Sequence, residues 1–171
     1  MAFATSSVLG VDLNNSSTTA LFTLNQRVLG DNNSEWVYVI ATGTITTGKF
    51  VSIQAAGTAI APSTGQLMAP TGVAGGGEIG CIQCQALQGE YAWVATRGHN
   101  MIIACTGTIA PGVVVYLGGD VAGVIGGATS CTMAGIFVTT SASTLQATPT
   151  TTARGTLVYP RLSSAAATPL G

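Results

Sequence analysis

The chain has 171 residues, of which 47% are hydrophobic, 6% aromatic and 6% charged, and its net charge at pH 7 is −1. That length suits one domain, or two small ones sharing a core of Val, Ile, Leu and Ala. The five basic residues, Arg27, Lys49, Arg97, Arg154 and Arg161, are scattered, which argues against direct nucleic-acid binding and against a polybasic membrane patch.

Residues 1 to 24, "MAFATSSVLGVDLNNSSTTALFTL", follow neither a helical nor a strand period. They read as an N-terminal arm that becomes ordered when it lies on something. The start lacks a basic, long apolar leader, so no secretory signal is expected. No run approaches the roughly 18 apolar residues of a membrane helix. Synthesis and assembly in a cytoplasm are therefore expected. "NQRVLGDNNSE" (25–35) is a turn-rich loop, because Gly30, Asp31, Asn32 and Asn33 favour tight turns. Arm and loop together make a first segment, 1–35.

Strands follow. "WVYVIAT" (36–42) is β-branched and aromatic, with apolar residues at successive positions, as in a strand covered on both faces. "KFVSI" (49–53) and "VVVYL" (113–117) read alike. "YAWVAT" (91–96) and "MIIAC" (101–105) flank "RGHN", a stretch of hairpin-turn length. "GIFVTT" (135–140) and "GTLVYPRL" (155–162) complete the set, and Gly-rich links join them. No ten-residue stretch carries a helical period. The fold class is all-β, a small barrel or sandwich over 36–162, and 163–171 form a C-terminal tail.

"ATGTITTGKFVSI" (41–53) and "CTGTIAPGVVVYL" (105–117) match at Thr42/Thr106, Gly43/Gly107, Thr44/Thr108, Ile45/Ile109, Gly48/Gly112 and Val51/Val115. Pro111-Gly112 predicts a type II turn, and Thr46, Thr47 and Gly48 predict the same bend. The two phrases divide the domain into pseudo-repeats of about 64 residues, 37–100 and 101–162. One such unit cannot bury its own apolar face. Two can pair across a pseudo-dyad and close one small barrel. This is a folding device, not a catalytic one.

Chemistry-bearing motifs are sparse. Cys81 and Cys84 form "CIQC", but a zinc site needs two further ligands and the chain has one His. "EIGCIQCQAL" reads as strand, which points residues three apart to opposite faces. Cysteines in such a strand are small buried hydrophobes. His99 lacks an orienting carboxylate and a G-x-S-x-G partner motif. Asp12, Asp31, Glu35, Glu78, Glu90 and Asp120 sit in separate stretches and read as solvated rim charges. "GVAGGGEIG" lacks the Lys and the helix of a phosphate loop. No catalytic residue, cofactor or metal is expected, and the chain does not read as an enzyme. Trp36 and Trp93 suit a core, with a subunit interface as the other reading.

Charged residues are far fewer than the roughly 25% of a typical soluble domain. A surface so poor in ions is expected to be covered by partners. "NQRVLGDNNSEWVYVIATGTITTGKFVSI" (25–53) resembles the opening of the capsid decoration, or cement, proteins of tailed bacteriophages. The resemblance rests on Leu29-Gly30, on Trp36 to Val39, and on Ile45, Gly48 and Val51, and it continues through "GVA", "YAWVATRG" and "TGTIAPGVVVYL". It implies a β-rich homotrimer on the outside of an icosahedral virion shell, bound to the major capsid protein, needing no cofactor. Residues 1–35 would clamp neighbouring capsomers. Candidate capsid or subunit contacts are Phe3, Phe22, Arg27, Leu29, Trp36 and Trp93. The alternative is a receptor-binding or fibre-associated virion protein.

Overall fold

The computed structural model describes residues 11–60, 78–105, 111, 115–117, 125–126, 131–139 and 151–164. Phe3, the "GVA" stretch at 72–74, most of the second copy's turn and the tail from 165 lie outside the described residues. The strands are β1 (Arg27–Gly30), β2 (Ser34–Ala41), β3 (Phe50–Ile53), β4 (Thr58–Ile60), β5 (Glu78–Ile82), β6 (Tyr91–Cys105), β7 (Val115–Leu117), β8 (Ile125–Gly126), β9 (Cys131–Val138) and β10 (Thr151–Ser164). A single 3-10 turn, Asp31–Asn33, joins β1 to β2, and the described residues contain no α-helix. The chain is all-β and contains a closed five-stranded barrel.

The barrel follows from the pairings. β2 pairs in parallel with β4, β4 with β3, β3 with β5, β5 with β6, and β6 returns to β2. Closure removes the open edges a five-stranded sheet would otherwise expose. One buried cluster joins alternate residues of these strands: Val37, Val39 and Ala41 of β2, Val51 and Ile53 of β3, Ala92 and Val94 of β6. Period two places each set on one face, and that face is the barrel interior. The barrel closes because β6 comes back beside β2.

A second circuit of pairings runs β6–β10–β9–β7–β8 and back to β6. It uses the same order of parallel and antiparallel partners as the first. Ala41 and Ile53 both pair with Ala59, and 64 positions on Cys105 and Leu117 both pair with Ile125. β6 is the last strand of the first circuit and the first strand of the second. Its even residues Ala92 and Val94 lie in the barrel interior. Its odd residues Trp93, Ala95, Met101, Ile103 and Cys105 join a second cluster with Ile136, Val138, Ala153 and Leu157.

"RGHN" is therefore not a hairpin turn. β6 runs unbroken from Tyr91 to Cys105, and Gly98 (φ 152) and Asn100 (φ 58) bend it. β10 stays paired on both sides of the bend through a register shift between Gly155 and Leu157. A bulge of this kind redirects a strand without ending it. The bend at Thr46–Lys49 does form as the sequence predicts. The Lys49 N–H donates to Thr46 O at 3.3 Å, and Gly48 has φ 82, the conformation of the third residue of a type II turn.

Residues 11–26 lie as a strap on the outer face of this chain's own barrel. Val11 and Leu13 are buried in the second cluster, and Phe22 and Leu24 pack against it. Ser17 and Tyr91 exchange backbone hydrogen bonds at 2.9 and 2.8 Å, and the Leu21 N–H donates to Tyr38 Oη at 3.1 Å. Val11 and Leu13 are thus part of the core, with Phe22 and Leu24 packed against it. The strap's alternate apolar residues supply area that β2 and β6 leave uncovered on their outer faces.

Candidate interaction surface

The first barrel has an ionic mouth. Glu35 precedes the interior residue Val37 by two positions, and Glu78 pairs with the interior residue Ile53. Both carboxylates therefore stand on the inward side of their strands at one end of the barrel. Arg27, from β1, bridges them. Its Nη1 donates to Glu35 Oε1 at 2.6 Å, and its guanidinium pairs with Glu78. The phenol of Tyr159 in β10 donates to Glu35 Oε2 at 2.9 Å. Arg97 stacks over the Tyr159 ring, 5.4 Å from its centroid, and donates from Nε to Asn33 O at 2.9 Å. Four of the chain's eleven charged side chains thus meet in one network.

The electrostatics follow the geometry. Burial works to raise the Glu35 carboxyl. Hydrogen bonds from Tyr159 and Arg27, with the charges of Arg27 and Arg97, outweigh it and hold the group below its ordinary value. The Glu78 hydrogen bond raises Arg27 against burial, with Glu35 adding to it. The hydrogen bond to Glu35 likewise raises the Tyr159 phenol.

Beside this network lies exposed apolar surface. The registers place Leu29, Glu35, Arg97 and Val158 in one row across β1, β2, β6 and β10. Leu29 is 68% exposed, and Val158 and Tyr159 are open to solvent. One step along β10, Thr156 pairs with Phe137, which is 60% exposed. His99 lies here too, with Nδ1 3.1 Å from Thr156 Oγ1.

The structure divides the residues singled out in the sequence. Arg27 and Leu29 reach this mouth and row. Trp36 and Trp93 do not, since both are buried: Trp36 Nε1 donates to Ser34 Oγ at 3.0 Å, and Trp93 packs 4.9 Å from Tyr38. Phe22 is half-buried, edge-on to Tyr38 and Trp93 at 5.3 and 5.2 Å. Glu35 and Glu78, read as solvated rim charges, are paired instead. Tyr159, Val158 and Phe137 were not legible as surface residues, because their exposure depends on which face of β9 and β10 meets the core.

Among the described residues, no group of three or more His, Cys, Asp or Glu side chains stands close enough to hold a metal. The His99 ring meets the Thr156 hydroxyl. Cys81, Cys84 and Cys105 are all buried. No family model, curated protein or solved structure matches the chain.

Proposed function

We propose that this chain is a structural virion protein that decorates and stabilises the outer surface of an icosahedral capsid, as the resemblance of residues 25–53 to phage cement proteins implies. One observation carries the reading. A chain with few charges ties four of them into one network and leaves Leu29, Phe137, Val158 and Tyr159 on the surface beside it. Such a surface is suited to burial against a partner that also presents neutral and apolar groups. In this reading the two matched circuits are copies of one unit. The partners are the major capsid protein and further copies of the chain, as a homotrimer.

Binding only the mature lattice would stabilise it by mass action, with no catalysis and no cofactor. The test is co-sedimentation of the purified chain with expanded, undecorated capsids, followed by quantitative band densities. Saturation at hundreds of copies per particle is expected. Saturation at a few tens would favour the fibre-associated alternative. A chain that stays in the supernatant at every concentration would end the proposal.

A further inference from the structure

The β10 segment that carries Tyr159 is bent out of regular pairing. β9 pairs with β10 up to Leu157 and again from Arg161, and the register jumps between them. Within the jump Tyr159 has φ 46, a left-handed backbone that costs a non-glycine residue about 1 kcal/mol or more. Pro160 follows, and a residue before proline favours the extended region. Strain of this kind persists only where surrounding contacts hold it. The contacts holding it are the Glu35 carboxylate on the phenol and the Arg97 guanidinium over the ring.

Glu35 is the centre of the tie. Each of its oxygens accepts from a donor on a different strand, Arg27 of β1 and Tyr159 of β10. The other charged groups facing the site are Glu78 of β5, through Arg27, and Arg97 of β6. A neutral carboxyl holds this arrangement far less well: it loses its charge attraction for Arg27, and its bond with Tyr159 loses its charge assistance. We propose that Glu35 is a proton-released clasp: in acid it lets go of Arg27 and Tyr159, and the strained β10 bulge relaxes away from the barrel mouth while the barrel stays folded.

The direction is fixed by the network. The carboxyl is held below its ordinary value in the folded chain, so the tie is intact above the carboxylate range and is lost as pH falls through the folded value. Both circuits share β6, but the clasp fastens the second circuit's last strand, β10, to the mouth of the first. Its release changes how β10 sits on the surface formed by Leu29 and Val158, not the packing inside either circuit.

The test is hydrogen exchange of the full chain at neutral pH and in acid, corrected for intrinsic rates and read on peptides spanning β1, β10 and the first half of β6. In the wild type, protection at β1 and around Tyr159 is expected to fall about fivefold in acid, while Val94 and Ala95 keep theirs. Glu35→Gln is expected to show the lowered protection already at neutral pH, with no further step. Tyr159→Phe keeps the ring over Arg97 and removes only the hydroxyl, so it is expected to loosen β10 and spare β1. The proposal fails if the wild type shows no acid step, if Glu35→Gln retains the step, or if the whole barrel loses protection together. Should Glu35→Gln not fold, Tyr159→Phe decides alone: a β10 as protected as in the wild type at neutral pH overturns the clasp.

Discussion

The side-chain amide of Gln83 grips the backbone of Ile102 at both ends. The Ile102 N–H donates to Gln83 Oε1 at 2.8 Å, and Gln83 Nε2 donates to Ile102 O at 3.0 Å. A side chain thus supplies what a further strand residue would supply, just past the end of β5 and beside the half of β6 that enters the second circuit. Gln83→Ala leaves both Ile102 groups partly buried and without this partner, a loss of about 1–3 kcal/mol. Gln83→Glu keeps an acceptor for the N–H but sets a carboxylate oxygen against a carbonyl, so it is expected to cost at least as much. Urea midpoints followed by tryptophan fluorescence check both. A Gln83→Ala midpoint equal to the wild type would show that water replaces the amide without cost.

Gly48 and Gly89 form a matched pair that separates backbone strain from crowding. Both have left-handed φ, 82 and 83 respectively, in turns of the same kind. A Cβ on Gly89 meets nothing within 4 Å, whereas one on Gly48 comes 2.8 Å from the Ala104 backbone nitrogen. The Ala104 N–H also donates to Gly48 O at 2.8 Å, so the two segments cannot separate without losing that bond. Gly89→Ala is expected to cost only the conformational penalty, about 1 kcal/mol. Gly48→Ala is expected to cost about 2 kcal/mol more, through a displaced turn or a broken bond. Equal losses for the two variants would mean that the turn shifts freely away from β6.

Local signals were readable, and signals set by register were not. β2, β3 and the type II bend at Gly48 follow from β-branched runs and from a glycine where positive φ is needed. Cys81 and Cys84 do belong to different buried clusters, but β5 ends at Ile82 and Cys84 lies in the bend after it, so strand parity alone does not place the second thiol. The continuity of β6 was hidden, because Gly98 and Asn100 suit a turn as well as a bulge. Only the pairing of β10 on both sides of the bend distinguishes the two. The Arg27–Glu35–Glu78–Tyr159 network had no local trace at all. Its directly bonded members lie up to 124 positions apart, and they meet because two circuits share a strand. The strap did leave a signal, the alternation of Val11, Asp12 and Leu13, which was too short to stand out from the polar residues around it.

The strap yields a contrast between two leucines eight positions apart. Leu13 is 0% exposed within the second cluster, while Leu21 is 66% exposed. Leu13→Ala is expected to cost about 2–5 kcal/mol, from lost transfer energy and the cavity left behind. Leu21→Ala is expected to stay within about 0.5 kcal/mol of the wild type. Deleting residues 1–24 removes Val11, Leu13 and Phe22 together and is expected to lower stability severely. A capsid-binding defect in that truncation would therefore not by itself locate a contact. Denaturation of the two point variants checks the assignment. A neutral Leu13→Ala would return residues 11–24 to the role of a loosely held arm.

The buried thiols give the chain an alkaline limit. Burial pushes Cys84 up to about 11, with the charges of Asp12 and Glu90 adding to it, and burial pushes Cys105 up to about 11 as well. Cys81, also raised by burial, has its sulfur within hydrogen-bond distance of Gly48 O and Ile102 O. An unfolded thiol titrates near about 8.5. Each folded value lies above the unfolded one, so the stability tied to these protons is fully present below about pH 8.5 and is lost as pH rises toward 11. Urea midpoints are therefore expected to fall across that window. Cys84→Ala is expected to flatten the slope relative to the wild type, after allowance for its constant cavity cost. Because the thiolate is the reactive form, Cys81, Cys84 and Cys105 are also expected to resist iodoacetamide at about pH 8 in the native chain and to react promptly in concentrated urea. Rapid native alkylation of any of the three, mapped by mass spectrometry, would show that its strand opens far more often than its burial implies.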